Sequence, residues 1–178
     1  MRLRDFNIVF SGLKLGIHQF NFQLNQAFFD LFDFVEMEKP QLNVDVVLEK
    51  KNNLLEFDFN LSGFFTAYCD VTNLPYKLHL SNTYHLIVKF GMEYKDDSEE
   101  VIVLSFETYE INIAQYLYES AVLSIPLKKV HPDVISGNLS VEMQELLDKF
   151  DAEKEQTEKE ESKKTDPRWD ALKDLLDN

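Results

Sequence analysis

Residues 42–62 read LNVDVVLEKKNNLLEFDFNLS, and this stretch decides the fold. Leu42, Val44, Val46 and Leu48 alternate with Asn43, Asp45 and Val47. Leu55, Phe57, Phe59 and Leu61 alternate with Glu56, Asp58, Asn60 and Ser62. A period of two puts successive side chains on opposite faces of a strand. Lys50-Lys51-Asn52-Asn53 between the two runs has the composition of a turn. The stretch therefore predicts an antiparallel hairpin with one apolar face and one wet face.

The same period extends to both sides. Phe20, Phe22 and Leu24 alternate with Asn21 and Gln23, and further strands are expected at 63–69, 76–80, 84–91 and 101–107. A polar segment, Lys95-Asp96-Asp97-Ser98-Glu99-Glu100, reads as a loop separating the last two. No Gly-rich crossover suggests a parallel sheet. Two helices interrupt the strands. Asn25 can cap a short one carrying Phe28, Phe29, Leu31, Phe32 and Val35. A longer one is expected from about Asn112 to Ser124, with Ile113, Tyr116, Leu117 and Ala121 on one stripe and Pro126 limiting it. The expected class is α+β: an antiparallel β-meander sheet or partly closed barrel with two packed helices, then a charged linker and a short C-terminal helix.

Charge divides the chain differently from hydrophobicity. All 15 Phe lie within the first 150 of 178 residues, enough to build a sizeable core. The net charge is −14, and residues 133–178 hold 14 acids against 7 bases, which is half of it. An acidic chain is a poor candidate for unaided nucleic-acid binding and a better one for meeting a basic protein. The organisation expected is a β-rich core over 1–135, a charged helical or disordered linker over 136–165, and an amphipathic helix over 166–178. Residues 151–165 contain no large apolar side chain, so they bury nothing to offset ordering entropy. Asp166-Pro167 is a strong helix start. Trp169, Leu172 and Leu176 then recur on one stripe, with Leu175 beside it and Arg168 offering a phosphate or carboxylate contact. Such a helix is marginal alone in water and needs a surface, either its own sheet or a partner's groove.

Chemistry is sparse. Cys69 is the only cysteine, which excludes an intramolecular disulfide and an all-thiolate metal site. No Ser-His-Asp set, phosphate loop or His-Glu-x-x-His pattern is present. His79 and His85 sit on adjacent strand signals, and with Cys69 would form a His/Cys set whose spacing fits no known ligand pattern. No catalytic residue, metal or cofactor is expected, and no enzyme. The N-terminus lacks the apolar run of a secretory signal, and no stretch approaches the ~20 apolar residues of a membrane span. The expected location is cytoplasmic.

Three segments carry a resemblance. Leu61-Ser62-Gly63 reads as a strand end leading to Cys69-Asp70; INIAQYLYESAVLSIPLKKVH at 111–131 holds Glu119, Ile125-Pro126 and His131; and Asp166-Pro167-Arg168-Trp169-Asp170-Ala171-Leu172 closes the set. In this order, spanning roughly the last two thirds, they resemble the YceD family, the large ribosomal RNA subunit accumulation proteins. Many relatives carry a Cys-x-x-Cys pair at the first place, whereas here Thr72 stands for the second cysteine and Val71 for a basic residue. A dithiol or two-sulfur metal role therefore does not carry over.

The resemblance implies a non-enzymatic ribosome-biogenesis factor supporting accumulation of 23S ribosomal RNA. The charge favours binding to a ribosomal protein or large-subunit assembly intermediate, with RNA contacted indirectly and no membrane involved. Asp166, Pro167, Arg168, Trp169, Leu172 and Leu176 are the expected partner-binding residues, and Cys69, Asp70, Glu119 and His131 the family-motif site. Two alternatives stand beside it: an RNA binder with a basic face of Arg2, Arg4, Lys14, Lys128 and Lys129, and a Phe-lined barrel for a small ligand.

Overall fold

The structure is a computed structural model that describes residues 1–91, 95–98, 101–137, 144–145 and 148–149. The expected linker over 136–165 lies largely, and the helix over 166–178 wholly, outside the described residues. Two compact units divide the chain: one of 1–68 and 75–129, the other of 69–74 and 130–178.

The hairpin read from 42–62 forms, and its strands run beyond that stretch. Strand β3 spans Glu38–Lys50 and β4 spans Leu54–Tyr68, paired antiparallel with Leu48 opposite Phe57 and Val44 opposite Leu61. Strand β2 (Gly16–Leu24) pairs with β3, and β5 (Pro75–Gly91) with β4. Alternation sends Val44, Val46, Leu48, Leu55, Phe57 and Phe59 inward to almost complete burial. Phe6, Phe28, Phe29 and Phe65 are buried as well, so aromatic rings fill the core.

Several expectations need correcting. Residues 63–69 and 55–61 do not form separate strands; Gly63 lies inside β4 and is no strand end. Likewise β5 runs unbroken through Ser81-Asn82-Thr83, where two strands were expected. Asn82 would be an awkward inward amide, but its Nδ2 donates to the carbonyl and hydroxyl of Ser120 at 3.0 and 3.2 Å, so the strand continues. The polar segment after β5 is not wholly a loop, because Lys95–Ser98 forms strand β6. β6 takes the sheet edge and β7 (Val101–Ser105) returns between it and β5, giving the order β2-β3-β4-β5-β7-β6. The β5–β7 pair is consequently parallel, an exception to the expected meander that needs no helical crossover. The order is open: the sheet does not close into a barrel. A separate two-stranded pair joins β1 (Asn7–Val9) to β8 (Glu110–Asn112).

Helix α1 is one turn, Gln26–Phe29, followed by a 3₁₀ turn Asp30–Phe32. Asn25 precedes α1 without a side-chain cap bond. Asp33 ends the 3₁₀ turn in the left-handed region, which leaves Val35 outside the helix and 82% exposed. Helix α2 (Ala114–Leu123) follows its expected stripe: Ile113, Leu117 and Ala121 are fully buried. Its first amide is held by Asn112 Oδ1 at 3.0 Å. Tyr116 stacks on Tyr84 of β5 and Tyr118 on Phe32, so rings pin α2 within the first unit.

Candidate functional site

The sheet has an outer face as well as a core face. Alternation in β5 turns Lys77, His79, Ser81, Thr83, His85 and Lys89 outward, all exposed. Pairing sets His79 opposite Phe64, Ser81 opposite Ser62, Thr83 opposite Asn60 and His85 opposite Asp58. His79 and His85 are thus on one strand, six residues or about 20 Å apart, and do not face one another. His85 Nδ1 meets Asp58 Oδ1 at 2.7 Å instead. Among the described residues no three His, Cys, Asp or Glu side chains converge as metal ligands would.

In the second unit, the turn Cys69–Leu74 builds a compact site around one sulfur. The Cys69 amide donates to the Leu74 carbonyl at 3.0 Å, and the Asn73 amide returns to the Cys69 carbonyl at 2.8 Å. Asn73 accepts the left-handed conformation (φ 54°) that closes the turn, as Asn does readily. Cys69 and Thr72 are both 2% exposed. The sulfur is nevertheless well solvated by protein. The Thr72 side chain and the amides of His131, Thr72 and Val71 hydrogen-bond to it, and the His131 amide lies 3.3 Å from Sγ. Burial pushes the Cys69 thiol up, but these donors together outweigh it and hold the thiol below its ordinary 9.0.

His131 joins the turn through its backbone amide. It caps helix α3 (Pro132–Ser136): Nδ1 accepts from the Asp133 amide at 3.1 Å, and Pro132 occupies the first helical position. That bond makes Nε2 the protonated nitrogen of the neutral ring. Gly137 ends α3 in the left-handed region.

Of the family-motif residues, Cys69 and His131 are thus brought together, and Asp70 lies in the same turn. Glu119 lies in the other unit, exposed on α2, where it accepts from Gln115 Nε2 at 2.8 Å. Thr72 is the residue whose part the sequence understated. Its hydroxyl bonds to the Cys69 sulfur while accepting from the Leu74 amide at 3.4 Å. Asp166, Pro167, Arg168, Trp169, Leu172 and Leu176 lie outside the described residues.

An open, mostly antiparallel sheet with few helices, joined to a turn organised on a single buried sulfur, defines a small α+β protein. No helix among the described residues is long and apolar enough to cross a membrane. Residues 57–176, two thirds of the chain, match the family described as large ribosomal RNA subunit accumulation protein YceD. The chain belongs to the YceD family. That membership supports a role related to ribosome biogenesis. No curated protein and no solved structure matches the chain.

Proposed function

We propose that the protein is a non-enzymatic, cytoplasmic ribosome-biogenesis factor. It supports accumulation of 23S ribosomal RNA by docking on a basic ribosomal protein or a pre-50S particle. Family membership over residues 57–176 is the observation that carries this reading. Charge supports the choice of partner: a net −14 accelerates encounter with a basic protein and orients it. The partner-binding stripe is Trp169, Leu172 and Leu176, introduced by Asp166-Pro167-Arg168. A buried Trp anchor contributes about 2 kcal/mol or more at an interface.

Sedimentation of cell extracts tests it. The intact chain should travel with large-subunit precursors. A chain ending at residue 165, and the Trp169→Ala variant, should stay at the top of the gradient with unchanged circular dichroism. Precursors that retain both variants would remove the C-terminal segment from the mechanism. A wild-type chain that never co-sediments would remove the docking reading itself.

A further inference from the structure

We propose that the outer face of the sheet binds single-stranded RNA through Phe64, His79 and Lys77. Alternation places these three side chains outward, and the antiparallel register sets Phe64 directly opposite His79. Their ring centroids are 5.6 Å apart, and Lys77 Nζ lies 4.6 Å from the Phe64 centroid. The two rings are inclined at 53° to one another, and each offers a face for stacking, which accepts any base because every base has a π-face. A base laid on Phe64 displaces the lysine, whose flexible stem then reaches a phosphate.

The surroundings fit the same ligand. Ser62, Ser81, Asn43, Gln41 and Thr66 occupy the neighbouring outward positions, and their amides and hydroxyls suit the edges of unpaired bases. Charge on the face as a whole does not favour an anion, but the strand that carries His79 and Lys77 holds no carboxylate. Strand β5 carries no acid between Pro75 and Gly91. The face's own carboxylates are engaged by neighbours: Asp45 by Asn21, Asp58 by His85, Glu49 and Glu56 by Lys51, and Glu38 by the Tyr68 hydroxyl. Lys77 makes no ion pair among the described residues and lies over the Phe64 ring. Glu38 shares the cross-strand row of Thr66 and Lys77, but around Phe64 itself a nucleic-acid strand finds rings, a cation and neutral hydrogen-bonding groups.

With one lysine in reach, stacking and not charge carries the affinity. The proposal rests on the biogenesis reading only for which RNA is met in the cell. Fluorescence anisotropy with a labelled, mixed-sequence single-stranded oligoribonucleotide and the full chain tests it separately. Saturable binding should weaken about tenfold or more in Phe64→Ala, as loss of a stacked base predicts. Lys77→Gln, a surface change that leaves folding intact, should weaken binding and flatten the log–log salt slope by about 0.7. No binding at low salt overturns the proposal, and so does binding that both variants leave unchanged. RNA binding that persists while the full chain fails to co-sediment with precursors sinks the docking reading and leaves this one standing.

Discussion

Gly63 shows how a single missing side chain allows the sheet to form. Its φ of +147° suits glycine alone, and a Cβ there would press into the Gln41 carbonyl and lie 2.8 Å from Leu42 Cα. Both obstacles belong to the backbone of β3, which cannot swing aside as a side-chain tip does. Gly63→Ala should therefore cost about 3 kcal/mol or more, well beyond the ordinary effect of a surface change, as urea denaturation will measure. Thr72 is the second decisive residue. Thr72→Val removes a donor to the Cys69 sulfur and leaves the Leu74 amide without its hydroxyl partner. The Cys69 thiol should then titrate higher than in the wild type, read from thiolate absorbance on raising the pH. The sign for stability follows from the lowered wild-type value. Cys69 contributes stability in full above 9.0, its ordinary value, and loses that contribution as pH falls through its lower folded value. The stability gap between wild type and Cys69→Ala should accordingly widen with rising pH. A gap independent of pH would mean that the thiol titrates alike in the folded and unfolded chain, and a gap that narrows would mean that the fold holds it neutral.

At the scale of elements, what could be read from the chain depended on whether pairing partners were local. The β3–β4 hairpin and the stripe of α2 were legible because period and turn chemistry sit within about twenty residues. Strand β5 was not, since Ser81-Asn82-Thr83 resembles a turn until Ser120, 38 residues on, satisfies the Asn82 amide. Asn82→Ala should loosen α2 from the sheet and cost about 1–2 kcal/mol, with faster hydrogen exchange in α2 than in β3 or β4. Uniform exchange changes across all three would show that the bond does not anchor the helix. The parallel β5–β7 pair was equally hidden, because a polar segment at 95–98 gives little hint that it takes the sheet edge. At the sulfur site, resemblance named Cys69 and His131, but only the fold shows that a backbone amide joins them across 62 positions. The outer-face pair of Phe64 and His79 was readable in part. Odd-numbered positions of 75–91 contain no acid, a signal obscured by dividing β5 into two strands.

For the whole molecule, one number, −14, should act on the two proposed associations in opposite ways. A basic protein partner is drawn by the summed field of the chain, which reaches about 10 Å at 0.1 M salt and about 3 Å at 1 M. Its association rate should fall several-fold between low and moderate salt, with dissociation changed less, because long-range attraction acts on encounter. RNA bound as proposed would meet a repulsive whole and a local stacking patch. Added salt screens the repulsion while weakening the lysine–phosphate contact, and the stacking on Phe64 is indifferent to both. The oligonucleotide affinity should therefore vary by no more than a few-fold over the range in which protein association declines steeply. Parallel measurements by surface-attached chain, with a basic ribosomal protein and then the oligonucleotide over the same salt series, separate the two. Equal, steep slopes for both would mean that the RNA is held by phosphate contacts at a larger cationic surface. The division of labour between acidic bulk and neutral aromatic face would then be wrong.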